Sequence, residues 1–232
     1  MDPKGTSTFR AAIVARARFV EDLVIEQAAQ GARQYVILGA GLDTFAQRHP
    51  DVAARLRIFE IDQPGTQAWK RRRLQELGFG VPDWLRFVPV NFEQGGSWWS
   101  ELGRAGFDPS LKTVVASTGV TPYITKEATA QTLRQISTLG AGSHLAISFL
   151  VNIDLLPDHE QQALRWAEAG ARNSGTPFIS FYSPAEMVEL ALECGFSRAR
   201  HITPEELADR YFEGRTDGLQ ASVGEQLVVA ST

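Results

Sequence analysis

The stretch Gln34-Tyr35-Val36-Ile37-Leu38-Gly39-Ala40-Gly41-Leu42-Asp43-Thr44 decides how this chain is read. A short apolar run ends in a glycine turn, the pattern of a buried strand meeting a tight loop. Upstream, Thr8 to Ala29 is predicted helical: Ile13, Ala17, Val20 and Val24 recur at three- and four-residue steps, and Gly31 is a stop. Downstream, Leu56 to Ile61 reads as a second strand, Pro64 to Leu77 as a helix closed by Gly78, Leu85 to Val90 as a third strand weakened by Pro89, and Lys112 to Ser117 as a fourth. Thr125 to Leu139 is predicted helical, His144 to Leu150 a fifth strand, and Asp158 to Ala171 a helix. Ser183-Pro184-Ala185-Glu186 combines a hydroxyl cap, Pro at the first helical position and Glu at the third, so a helix starts there. Arg198 to Ile202 and Gln226 to Ala230 are the last two strands.

Strands separated by helix-length segments imply parallel βαβ units. The expected fold is α/β, a doubly wound, mostly parallel seven-stranded sheet. No clear helix-long crossover separates the final two strands, so an antiparallel edge strand is expected there. The 232 residues favour one large domain over two, and residues 1–232 are read as a single unit.

Composition narrows the classes. With 44% hydrophobic and 22% charged residues, disorder, collagen and coiled coil are excluded. Twenty-three basic against 27 acidic residues give a net charge of −4, which disfavours nucleic acid and anionic membranes as partners. The one cysteine, Cys194, forms no intrachain disulfide and no Cys-based zinc site, and a reducing, cytoplasmic compartment is expected. Met1 to Gly5 carry no apolar signal region, and no apolar run approaches the roughly 20 residues that span a bilayer. His49, His144, His159 and His201 show no metal-ligand spacing, so no metal is expected.

Binding in doubly wound sheets occurs at the carboxyl ends of the strands. Gly39 and Gly41 allow close approach of a ligand to the backbone, although a Gly-x-Gly by itself also fits a plain strand-to-helix turn. Thr44 stands where a dinucleotide fingerprint has its third glycine, which argues against NAD or FAD. Glu60 and Asp62 close the second strand about 20 residues on, where a carboxylate can accept ribose hydroxyls. The two are expected to point to opposite faces, so that one alone reaches a pocket. Cys194 is read as a core thiol and Lys70-Arg71-Arg72-Arg73 as a solvated helix end. Trp98-Trp99 fits a core anchor or a pocket wall. Tyr211, Arg215 and Asp217 are minor candidates.

On these residues the chain resembles the leucine carboxyl methyltransferase-like family of S-adenosyl-L-methionine (SAM)-dependent O-methyltransferases, in its bacterial natural-product and polyketide branch. The matching stretches are Arg16 to Phe19 with Glu21-Asp22, Gln34 to Thr44, Phe59 to Leu74, Thr118 to Thr125 and Ser183 to Phe196. The resemblance implies a class I, Rossmann-like methyltransferase with SAM as cofactor and a small-molecule acceptor methylated on a carboxylate or phenolic oxygen; the alternative is a SAM- or nucleotide-binding module without catalysis. It also implies that Arg16, ahead of Arg18, holds the methionine carboxylate. Gly39 and Gly41 would line the methionine, Asp62 rather than Glu60 would take the ribose, and Asn91 and Phe92 would flank the adenine. Thr118 stands where phosphatase-modifying members have Glu. Family members carry further residues before the first motif, so a short or missing N-terminal lid is expected. No base is evident, although Tyr123 and His144 are candidates for a phenolic acceptor.

Overall fold

The structure is a computed structural model and describes residues 6–90 and 97–232. Its centre is a seven-stranded sheet in the order β3-β2-β1-β4-β5-β7-β6. The strands are β1 (Gln34–Leu38), β2 (Arg57–Asp62), β3 (Leu85–Pro89), β4 (Thr113–Ser117), β5 (His144–Leu150), β6 (Arg198–Ile202) and β7 (Glu225–Ser231). The first five run parallel, and β7 pairs antiparallel with both β5 and β6.

Both sheet faces are covered, as parallel strands require. Val36, Leu38, Phe59, Ile61, Val115, Ile147 and Phe149 pack on one side with Leu133, Ile136, Leu164 and Met187. Tyr35, Ile37, Ile58, Val114 and Ala116 pack on the other with Val20, Val24 and Phe45. The residues alternate between faces along each strand, the two-residue period that makes the central strands continuously apolar.

The covering helices include α1 (Ser7–Ala29), α4 (Pro64–Glu76), α6 (Lys126–Ser137), α7 (Asp158–Asn173), α8 (Pro184–Glu193) and α9 (Pro204–Tyr211). α8 starts as its sequence requires: Ser183 accepts from Glu186 N–H, and the Glu186 side chain accepts from Ser183 N–H. Three short helices were not foreseen: α2 (Phe45–Arg48), α3 (Pro50–Ala53) and α5 (Trp98–Arg104). The first two span about one turn each, below the length at which periodicity is readable.

The antiparallel strand is not at the edge. β7 lies between β5 and β6, leaving β6 as the outer strand. The side chains explain the order. β7 buries Leu227, Val228 and Ala230, whereas β6 carries Arg198, Arg200 and His201 and is buried fully only at Ile202. Charged residues suit an edge that must not recruit another strand.

Candidate functional site

The chain order reverses between β1 and β4, which are neighbours in the sheet with β2 beyond one and β5 beyond the other. The crevice at such a reversal is where doubly wound sheets take ligands. A cavity of ≈ 670 Å³ lies there, walled by Gly39, Asp62, Ser117, Gly119, Trp98 and Tyr123 among others. One face of α6, from Ala128 through Gln131 and Thr132 to Gln135, forms a further wall of amides and hydroxyls.

The glycine turn is held from several sides. Gly39 has φ +66, and a Cβ added there would come within 2.5 Å of Val120 Cγ2. Only glycine combines that backbone with that approach. Ala40 N–H donates to Ile61 O at 3.0 Å, and Gly41 N–H donates to Asp62 Oδ2 at 2.6 Å. Asp62 Oδ1 accepts from Gln63 N–H at 2.7 Å. The carboxylate thus ties turn to strand end and still has lone pairs facing the cavity it lines.

Glu60 and Asp62 are two residues apart and share one face of β2, which corrects the expectation that they point to opposite faces. Depth separates them. Glu60 is buried and accepts from Lys70 Nζ at 2.5 Å, while the same ammonium donates to Asp43 O at 2.6 Å. Burial pushes the Glu60 carboxyl up to about 7 even though Lys70 pulls it down. Lys70 therefore departs from the solvated run expected at Lys70 to Arg73: it is buried beneath the turn, and only Arg71, Arg72 and Arg73 are exposed. A basic residue facing inward is not separable from its neighbours by charge pattern.

On the far side of the cavity, Gly119 follows β4 with φ +71, and a Cβ built on it would lie 3.6 Å from Arg16 Nη2. Arg16 pairs through Nη1 with Glu225 Oε1, and its Nε is buried with no partner among the described residues. Ser148 Oγ donates to the same Glu225 oxygen at 2.6 Å and accepts from Gly119 N–H at 2.8 Å. Sequence reasoning passed over Ser148 and Glu225. Ser148 is a hydroxyl inside an otherwise apolar strand, and that interruption was the available signal.

Gly39 and Asp62 wall the crevice; Gly41 is bonded to Asp62 behind that wall, and Arg16 lies behind Gly119, where with Glu225, Ile202 and Leu207 it lines a separate small pocket rather than the cavity itself. Thr118, next to Gly119, is half-buried and is not among the residues walling the cavity. Asn91 and Phe92 lie outside the described residues. Arg18 is turned to Asp22 at 3.2 Å. Tyr123 is on the cavity wall, packed edge-on against Phe178, and burial together with the Glu225 carboxylate pushes its phenol up while Arg16 opposes. His144 is not brought to this crevice. It begins β5 opposite Val114, near the amino end of β4, whereas Ser117 and Gly119 on the cavity wall lie at the other end.

The remaining candidates fall elsewhere. Trp98 lines the cavity and stacks edge-on with Trp99, so the pair is both pocket wall and packing. Cys194 is buried, donates weakly to Ala130 O at 3.5 Å, and burial raises its thiol, which fits a core residue. Tyr211 donates to Asp22 Oδ2 at 2.8 Å and Arg215 pairs with Asp217, contacts that tie local structure together. Among the described residues, no group of three or more His, Cys, Asp or Glu side chains is placed to hold a metal ion, and no helix is long and apolar enough to cross a membrane.

Residues 2–137 match the leucine carboxyl methyltransferase family. A Bacillus subtilis (strain 168) protein named as an S-adenosyl-L-methionine-dependent methyltransferase, YktD, is 32% identical over 90% of this chain and 68% of its own length. A Mycolicibacterium smegmatis protein with a similar name is 36% identical over 74% of this chain and 57% of its own. The chain thus spans between about half and two thirds of these curated relatives. Among solved structures, a Thermobifida fusca protein described as a methyltransferase superposes with a TM-score of 0.68 at 18% identity, covering 96% of this chain and 80% of that one. PigF with SAH superposes with a TM-score of 0.60 at 17% identity, covering 94% of this chain and 54% of that one. At those identities the superpositions speak for the fold alone.

Proposed function

The chain belongs to the leucine carboxyl methyltransferase family, and from that membership we propose that it binds SAM and transfers a methyl group to an oxygen of a small molecule, a carboxylate or phenolic hydroxyl of a secondary metabolite. The observation that carries this reading is the crevice itself: Gly39, Asp62 and Gly119 converge on one ≈ 670 Å³ cavity at the carboxyl ends of β1, β2 and β4. That cavity combines a backbone surface open to close approach with a carboxylate able to accept two hydroxyls.

The residues present fit the cofactor. Asp62 would take the ribose hydroxyls. Gly39 and Gly41 would run along the methionine portion. Arg16, whose buried Nε has no acceptor, would receive the methionine carboxylate. Asn91 and Phe92 would flank the adenine, and Thr118, beside Gly119, would contact the cofactor or the acceptor.

The bound cofactor supplies a methyl carbon on a positively charged sulfur, already activated for displacement. An acceptor oxygen held in line would displace the sulfur there, the pair of the broken carbon–sulfur bond leaving on sulfur. What the protein must add is alignment of oxygen, carbon and sulfur, and exclusion of water. Trp98 and Tyr123 furnish apolar surface for an organic acceptor beside the cavity's amides and hydroxyls. A carboxylate acceptor arrives ionised and needs no base. A phenol must lose its proton; the neutral, half-exposed Tyr123 hydroxyl would accept it only by releasing its own proton to solvent at the same time.

Incubation with methyl-labelled SAM and a panel of aromatic acids and phenols tests the proposal. Label should appear in an organic product, released by mild base if an ester and retained if an ether. Tight SAM binding with no transfer to any acceptor would favour a non-catalytic binding module instead. Transfer to nitrogen or carbon would refute the oxygen assignment.

A further inference from the structure

Arg16, on α1, packs behind Gly119 of the crevice wall, in a small pocket it shares with Glu225, and its guanidinium has few fixed partners. Among the described residues its one charged partner is Glu225, at the start of β7, through Nη1. Both side chains are largely withdrawn from solvent, at 17% and 19% exposure. The bond to Glu225 uses one end of the guanidinium fork. Nε is buried and has no partner among the described residues, and with Nη2, which lies 3.6 Å from where a Gly119 Cβ would stand, it forms an edge of the fork that can grip a carboxylate through two parallel bonds.

Glu225 is itself held. Ser148 Oγ donates to Glu225 Oε1 at 2.6 Å and receives Gly119 N–H at 2.8 Å. Ser148 is fully buried in β5, and β7 is locked to β5 in register, with Leu150 opposite Glu225. A chain of contacts therefore runs from the cavity wall at Gly119, through Ser148 and Glu225, to Arg16. Gly119 closes the loop, because its missing side chain leaves the guanidinium 3.6 Å from where a Cβ would stand. An arginine side chain that is fixed before the ligand arrives loses less freedom on binding.

We propose that Glu225 is a positioning residue for ligand binding, which with Ser148 fixes the Arg16 guanidinium so that its open edge receives the carboxylate of an amino-acid-bearing nucleoside. This rests on the SAM reading given above. Glu225 acts through Arg16 and touches no reacting atom. Two parts of the ligand are thereby separated: the nucleoside would be held at the Asp62 side of the crevice, and only the amino-acid part would depend on Glu225.

Calorimetry with two probes tests it. S-adenosylhomocysteine carries the amino-acid carboxylate, and 5′-deoxy-5′-methylthioadenosine keeps the nucleoside and thioether but lacks it. Glu225→Ala is expected to weaken S-adenosylhomocysteine at least tenfold and to leave methylthioadenosine within twofold. Glu225→Gln, whose amide oxygen still accepts from Arg16 and Ser148, is expected to recover most of the loss. Adding Glu225→Ala to Arg16→Ala should cost nothing further, since both act through one group. If Glu225→Ala does not fold, Ser148→Ala carries the test, with a smaller loss confined to S-adenosylhomocysteine. Equal losses for both probes, additive losses with Arg16→Ala, or unchanged or tighter S-adenosylhomocysteine binding would overturn the role of Glu225 while leaving the cofactor reading intact. A wild-type protein that binds neither probe overturns both.

Discussion

Asp62 Oδ2 accepts a hydrogen bond from Gly41 N–H at 2.6 Å, across 21 residues of sequence. The carboxylate thus shapes the glycine turn as well as facing the cavity, and its two duties can be separated. Asp62→Asn keeps an acceptor for Gly41, whereas Asp62→Ala removes it. Charge-assisted bonds contribute roughly 1.5–3 kcal/mol each. Calorimetric SAM affinity should fall moderately in the first variant and steeply in the second. Near-native affinity in Asp62→Ala would move ribose binding away from this residue.

Gly39→Ala should destabilise the fold through two separable effects. Left-handed backbone costs a non-glycine residue roughly 1–2 kcal/mol, and the 2.5 Å approach to Val120 Cγ2 adds an overlap of about 1–3 kcal/mol. Val120→Ala in the same chain should restore the second part and leave the first. Urea unfolding of the two single variants and the double variant measures this, and a double variant no more stable than Gly39→Ala would show that Val120 is not the obstacle.

The Glu60–Lys70 pair predicts a pH signature. Glu60 titrates at about 7 in the fold against an ordinary 4.5. Between those values the folded chain holds a proton that the unfolded chain has released, so this group's contribution to stability falls as pH rises through that window and levels off above it. Lys70→Met removes the charge that pulls Glu60 down. The fall should then extend above pH 7, and the variant should be about 3–5 kcal/mol less stable than wild type at pH 8, with the gap narrowing at pH 5. Thermal unfolding at the two pH values decides it; a gap independent of pH would mean that Glu60 is not the group responsible.

If the acceptor is a carboxylate, the transfer rate should be nearly flat between about pH 6 and 8, because an ordinary carboxyl is ionised above about pH 5. His144 stands at the opposite end of β5 from the crevice, so His144→Gln should leave the profile unchanged. A rising limb near pH 6–7 that disappears in His144→Gln would contradict both statements.

The strand-turn logic of Gln34 to Thr44 was readable because a buried parallel strand is apolar throughout and its turn demands glycine. The helix bounds from Ser183 were equally legible, since capping is a local, chemically specific event. What escaped the sequence was set by partners far along the chain. Lys70 looked like one of four solvated cations, and only the packing of α4 over β2 shows it against Glu60. Glu225 is an unremarked acid at a strand start until β7 is placed beside β5 and next to Arg16, 209 residues earlier. The position of β7 itself depended on pairing preference, which residue patterns express only weakly: the expected edge placement rested on connection length alone, whereas the charges of β6 fit the outer position it takes.

The placement of β7 between β5 and β6 also has a temporal side. As the chain is synthesised, the free edge of β5 must wait from Leu150 to Glu225, 75 residues later, for its antiparallel neighbour. At about 5–20 residues per second the wait is roughly 4–15 s. During that interval the backbone groups of Leu145 to Leu150, flanked by apolar side chains on both faces, form an open template of the kind that recruits other chains. β6 emerges earlier, but among the described residues its one strand neighbour is β7, so it does not shield that edge. The interval that ends when β7 slots into the gap is therefore one in which the nascent chain carries an unpaired, apolar strand edge open to misassembly.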